Sequence, residues 1–129
     1  MEIVFYEKPG CAGNARQKAV LRAAGHEVIA HSLLAEPWTA ERLRAFFGAL
    51  PVAAWFNMSA PAVKTGEVQP ETIAADDALA LMLKQPLLIR RPLLQVGERL
   101  CTGFAAADLK DRLGLELPEA PDGCAHPSI

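Results

Sequence analysis

The apolar positions of this chain fall into short unbroken runs near its start and into helical stripes further on. Ile3-Val4-Phe5-Tyr6 is a four-residue run bounded by Pro9-Gly10 and reads as a buried strand. Residues 11–24 are rich in Ala, Arg, Gln, Lys and Leu, all helix formers, and Gly25 supplies the residue expected just past a helix end. "HEVIAHSL" centres on Val28-Ile29 and reads as a second strand. The first 33 residues therefore predict a β-α-β unit with parallel strands and a right-handed crossover.

In "EPWTAERLRAFFGAL", Leu43, Phe46, Phe47 and Leu50 repeat at three- and four-residue spacing, the stripe of a helix packed on a core. Thr39 is placed to cap it, with Trp38 stapled onto Leu43. The stretch 51–70 is broken by Pro51, Pro61 and Pro70, with one helical turn expected over Val52–Phe56. A third helix is expected over Glu71–Gln85, buried because "ALALML" is apolar nearly all round, and ended by Pro86. Leu87–Ile89, Leu93–Val96 and Arg99–Thr102 then read as strands, the last two joined in a hairpin at Val96-Gly97-Glu98. "AAADLKDRLG" predicts a final helix closed by Gly114.

The order predicts an α/β fold: a mixed sheet with helices on both faces, βαβ then ββα, the thioredoxin-like arrangement. The helical segment at about 39–85 is an insert between its halves. The domain is expected to occupy 1–114. The Pro-rich stretch 115–129 is expected to be a loosely held tail.

Composition narrows the function classes. The 129 residues suit one domain, and 51% of them are hydrophobic, enough for an ordinary core. The net charge of −2 and the lack of a long basic run argue against nucleic acid as a partner. No apolar stretch is long enough to span a membrane and no signal peptide is evident, so a cytoplasmic setting is expected. The three cysteines, Cys11, Cys101 and Cys124, are expected as free thiols. With no C-x-x-C and only three histidines at no ligand spacing, neither a metal site nor a bound cofactor is expected.

Cys11 stands where the first strand hands over to the first helix. A thiol there meets free backbone N–H groups and the positive end of the helix dipole, and both favour thiolate. Gly10 and Gly13 on either side allow backbone to approach a ligand, and the same N–H groups can cradle an anion. The alternative is a small residue tolerated at a turn, and position alone does not choose. Arg91, held extended by Pro92, can aim its guanidinium at an anion over Cys11, or can simply face solvent. Lys8 and Arg16 either lower the thiol's pKa or are solvated surface. Asn14, three residues after Cys11, can only hydrogen-bond, to a ligand or to the thiolate. Cys101 reads as a small core residue. Cys124 in "DGCAHP" is either a resolving thiol or an incidental cysteine.

"YEKPGCAGNARQKAVLRAAGHEV" together with "QPLLIRRPLLQVGERLCTGF" resembles the arsenate-reductase-like, or ArsC/Spx, branch of the thioredoxin fold over residues 2 to about 112. The opening is most similar to the group called nitrogenase-associated proteins. The resemblance implies Cys11 as a nucleophile on arsenate, Arg91 as an oxyanion ligand and Pro92 as a cis proline shaping the groove. It implies discharge by glutathione and glutaredoxin. Two further arginines of the arsenate site fall at Asn57 and Thr102 in this chain, which removes most of the charge complementarity for a multiply charged oxyanion. Arg90 and Arg99 are the cations left to compensate. The dithiol C-x-x-C of the Spx regulators is C-x-x-N here. The resemblance and these departures together imply a monothiol oxidoreductase with glutathione as co-substrate and a substrate other than arsenate. The alternative is a non-catalytic adaptor for a nitrogen-fixation protein on the same scaffold.

Overall fold

The computed structural model describes residues 1–115; residues 116–129 of the expected tail, with Cys124, lie outside the described residues. The elements in chain order are β1 (Glu2–Glu7), α1 (Ala12–Ala23), β2 (Glu27–Ser32), α2 (Ala40–Phe47), α3 (Pro61–Lys64), α4 (Ala75–Lys84), β3 (Leu93–Val96), β4 (Arg99–Thr102) and α5 (Ala106–Asp108). α5 continues as a π-helical turn over Leu109–Leu113, and single 3-10 turns occupy Val52–Trp55 and Pro86–Leu88.

The sheet order is β2-β1-β3-β4, with β1 parallel to β2 and antiparallel to β3, and β3 antiparallel to β4. This is the expected thioredoxin-like sheet. Alternation along β1 sends Ile3 and Phe5 to one face, with Leu21, Leu94, Cys101, Phe104 and Leu109. It sends Tyr6 to the other face, with Leu43, Phe46, Phe47 and Trp55 of the insert. Leu115 is buried in the first of these clusters too.

Local chemistry explains the element boundaries. Thr39 Oγ1 accepts the Arg42 N–H at 3.2 Å and caps α2 as expected. Trp38 precedes it, but its ring sits edge-on to Tyr6 and Phe46, at 5.0 and 5.6 Å, and its indole N–H donates to the Leu33 carbonyl. Trp38 packs against the cluster that holds Leu43, and its aromatic contacts with Tyr6 and Phe46 extend the expected staple.

Three expectations need correction. α4 begins at Ala75, not Glu71, because the Gln69 carbonyl takes the N–H groups of Thr72 and Ile73 in a turn after Pro70. α4 also buries only one side, Ala78, Leu79 and Met82, while Leu83 is exposed. The strand expected over Leu87–Ile89 is the 3-10 turn 86–88 followed by a lone bridge from Ile89 to Phe56, because the Leu88 and Ile89 N–H groups donate back to the Gln85 and Pro86 carbonyls. α3, one helical turn with Pro61 at its start, has no counterpart among the expected elements.

Candidate active site

β1 ends at Glu7, and the chain turns at once through Lys8-Pro9-Gly10-Cys11. The Cys11 N–H donates to the Lys8 carbonyl at 3.1 Å, and Gly10 has φ +84°. Proline second and a positive-φ glycine third make a type II turn. An alanine at position 10 would clash with nothing but would have to hold a left-handed backbone. Gly10→Ala is expected to cost about 1–2 kcal/mol, measured as a lower midpoint in thermal unfolding.

The turn delivers Cys11 to the N-cap of α1, in extended conformation. Its carbonyl accepts the Ala15 N–H, and its Sγ accepts the Asn14 N–H at 3.4 Å. Sulfur therefore occupies the place where a serine or aspartate oxygen caps other helices. α1 carries no acidic residue in its first turn to oppose a negative charge there.

Cys11 is half-buried and opens on a cleft of about 480 Å³ whose walls include Lys8, Asn57, Ser59, Leu87 and Arg91. That volume lies within the usual range for small-ligand sites. The Arg90-Arg91-Pro92 segment is held from both sides. The Arg90 N–H donates to the Trp55 carbonyl at 2.9 Å, Thr102 Oγ1 donates to the Arg90 carbonyl at 2.7 Å, and the Gly103 N–H donates to the Pro92 carbonyl at 2.8 Å. The Arg91-Pro92 peptide is cis. Arg91 itself is only 6% exposed, with Nη1 donating to the Leu87 carbonyl at 3.5 Å, so its guanidinium is held at the cleft instead of swinging in solvent.

The structure thus brings Cys11, Arg91 and Lys8 to one cleft. The other expected positions fall elsewhere. Gly13 is buried on the inner side of α1's first turn and Asn14 is fully buried, so neither the glycine nor the Asn14 side chain lines the cleft; only the Asn14 backbone N–H reaches the sulfur. Arg16 is exposed on α1, away from the cleft lining. Arg99 pairs with Val96 at the hairpin end of the sheet, while Thr102 pairs with Leu93 at the Cys11 end. Three residue steps along β4 separate them, about 10 Å, and Arg99 does not line the cleft where a missing arginine would stand. Arg90 lays its guanidinium over Gly103, where an added Cβ would come within 2.5 Å of Nε, and it does not line the cleft. Cys101 is fully buried, with Sγ 3.6 Å from the Thr102 carbonyl.

Asn57 and Thr102 differ from each other. Asn57 lines the cleft, but both ends of its amide are engaged: Nδ2 donates to the Leu87 carbonyl and Oδ1 accepts the Ser59 N–H. Thr102 is fully buried and its hydroxyl serves the Arg90 carbonyl. Neither position therefore brings a charge to the cleft, whose cations are Lys8 and Arg91. Ser59 and Leu87 are wall residues that sequence reasoning misses. The Asn57–Ser59 turn, Asx-type in sequence, is the signal that marks that loop.

A thioredoxin-like sheet with one cysteine capping its first helix and a cis-proline arginine beside it defines the class of this protein. Its residues 6–111 match the ArsC family, and the chain belongs to that family. It is 54% identical over 121 residues to an uncharacterized 15.7 kDa protein in the draG 3′ region of Rhodospirillum rubrum, covering 94% of this chain and 85% of that one. Among solved structures it is similar to an ArsC-family related protein from Bacteroides fragilis (TM-score 0.71, 23% identity, 86% of this chain and 98% of that one). It is likewise similar to an arsenate reductase from Vibrio cholerae (TM-score 0.69, 20% identity, 88% and 97%). At those identities the structural likeness speaks to the fold. Among the described residues no helix is long and apolar enough to cross a membrane.

Proposed function

We propose that the protein is a monothiol thiol–disulfide oxidoreductase with Cys11 as nucleophile. The observation that carries this reading is the Cys11 sulfur in the α1 N-cap position, accepting the Asn14 N–H in a cleft it shares with Arg91. The Cys11 thiolate attacks one sulfur of a substrate disulfide. The new S–S bond joins Cys11 to that sulfur, and the other sulfur leaves as a thiolate. Glutathione, itself as thiolate, then attacks the mixed disulfide and releases Cys11. That attack falls on the substrate sulfur and forms a substrate–glutathione disulfide. A second glutathione thiolate attacks its glutathione sulfur, gives oxidised glutathione and releases the remaining substrate sulfur as thiolate, so two electrons pass from two glutathiones to one disulfide. Arg91 holds an anionic group of the substrate or of glutathione, and Pro92 shapes the groove. Glutaredoxin is the alternative donor.

Arsenate fits this cleft less well than a disulfide does. Asn57 is neutral and already hydrogen-bonded, Thr102 is buried, and Arg91 and Lys8 are the cations of the lining. The test is glutathione-dependent reduction of a small disulfide, with arsenate run in parallel. Turnover of the disulfide and none of arsenate is expected. Arg91→Met is expected to raise KM for the anionic thiol about tenfold or more, the scale of one hydrogen bond to a charged group. Arsenate turnover as fast as disulfide turnover would overturn the substrate assignment.

A second reading is a non-catalytic adaptor that binds a nitrogen-fixation protein. Supporting it are the exposed Leu87 and Met58 beside the cleft, at 44% and 56%, a surface suited to a protein partner. The nitrogen-fixation setting rests on the resemblance of the opening to nitrogenase-associated proteins, and the relative from the draG 3′ region supports it. A folded protein that turns over neither substrate favours this reading.

A further inference from the structure

Asn14 and Gln17 form a buried polar pair that the proposed exchange does not use. Both are fully buried on the face that α1 turns into the protein. Asn14 Nδ2 donates to Gln17 Oε1 at 2.9 Å, and Asn14 Oδ1 accepts the Lys8 N–H at 3.1 Å. The Lys8 carbonyl in turn accepts the Cys11 N–H, and the Asn14 backbone N–H reaches Sγ. One residue thus touches both ends of the turn that carries the thiol.

From this we infer that Asn14 is a positioning residue for Cys11. Its neutral side-chain amide, oriented by Gln17, locks the Lys8–Cys11 turn onto the first turn of α1 and keeps Sγ in the cap position that favours thiolate. The residue type follows from the two partners. Lys8 N–H needs an acceptor and Gln17 Oε1 needs a donor, and a side-chain amide supplies one of each. A flipped amide would set donor against donor and acceptor against acceptor. An apolar residue would leave the Lys8 N–H without its acceptor. An aspartate would keep that acceptor but give no donor to Gln17, and would add a negative charge close to the sulfur. The charged groups around the thiol are otherwise cationic or paired: Lys8 and Arg91 line the cleft, and Glu7 at the end of β1 is bound by Lys18 at 2.7 Å.

The inference rests on Cys11 being the reactive thiol, and one measurement separates the two ideas. The rate of Cys11 alkylation is followed against pH in wild type, Asn14→Ala, Asn14→Asp and Gln17→Leu, beside a thermal midpoint for each. Both Asn14 variants are expected to move the alkylation midpoint upward, Asn14→Asp by about one unit or more because it adds a like charge. Gln17→Leu is expected to move it in the same direction by less. A purely structural role would lower the thermal midpoint and leave the pH profile where it was. A wild-type midpoint at the ordinary thiol value overturns both ideas. A lowered wild-type midpoint shared by the folded variants overturns the role of Asn14 alone. If the Asn14 variants do not fold, Gln17→Leu, whose apolar side chain suits a buried site, gives the deciding profile.

Discussion

Iodoacetamide is expected to modify Cys11 in the native protein much faster than Cys101, with a rate that rises through a midpoint below the roughly 8.5 of an ordinary cysteine. The two thiols differ in every respect that matters to the reaction. Cys11 is half-buried at a cleft and caps a twelve-residue helix, with its sulfur on a backbone N–H. Cys101 is fully buried in β4 among apolar side chains. Each unit by which the Cys11 midpoint falls raises the thiolate fraction at neutral pH by close to tenfold, until about half is ionised. Cys11→Ser is expected to abolish the fast phase entirely. Peptide mapping of the label distinguishes Cys11 from Cys124. A Cys11 that reacts no faster than a small free thiol, at the ordinary midpoint, sinks the nucleophile assignment.

The largest loss of stability is expected from Trp55→Ala, at about 3–5 kcal/mol, a large share of the roughly 5–15 kcal/mol that holds a typical domain folded. Trp55 is the anchor of the insert. Its ring stacks on Phe47 at 4.7 Å with the planes 9° apart, and its indole N–H donates to the Leu50 carbonyl at 3.0 Å. The Arg44 guanidinium sits 5.4 Å above the same ring. Truncation would leave a hole between α2 and the 3-10 turn at 52–55 and an indole's worth of apolar surface unburied. The Trp55 carbonyl also receives the Arg90 N–H, so the variant is expected to loosen Arg91 as well as the core. Urea unfolding measures the loss, and a change below about 1 kcal/mol would show that the ring stack is not what fixes the insert.

The β-α-β start is legible in the sequence because every signal in it is local: an apolar run, a block of helix formers, and Gly25 at the end. The capping position of Cys11 is legible for the same reason. Elements that depend on distant partners are not. Leu87–Ile89 has a strand's composition, yet Ile89 finds one bridge partner, Phe56, on the insert instead of a ladder. Arg99 looks available in sequence, and only the β3–β4 register puts it at the wrong end of the sheet. Asn14 is the most instructive case. The face that α1 buries includes Asn14, Gln17 and Leu21, at spacings of three and four, a helical stripe in which two of three members are polar. A search for apolar periodicity passes over it and leaves Asn14 facing a ligand, although its spacing with Leu21 points inward.

The two sides of the cleft differ in how they are tied down. Cys11 follows directly from β1, which has a hydrogen-bonded strand on each side, and caps a helix of three turns. Across from it, Ser59 and Pro61 belong to a loop and to the single turn of α3, which meets the core through the buried Ala60 before it and the partly buried Ala62 and Val63. Segments with few buried apolar contacts open at low free energy, while a central strand opens only with the whole domain. One jaw of the cleft is therefore anchored in the sheet and a long helix, the other by a single turn and three small or medium apolar side chains. Under the proposed disulfide exchange, tolerance of substrate size would reside in the α3 side of the cleft and constancy of the nucleophile in the β1–α1 side, two different parts of the chain.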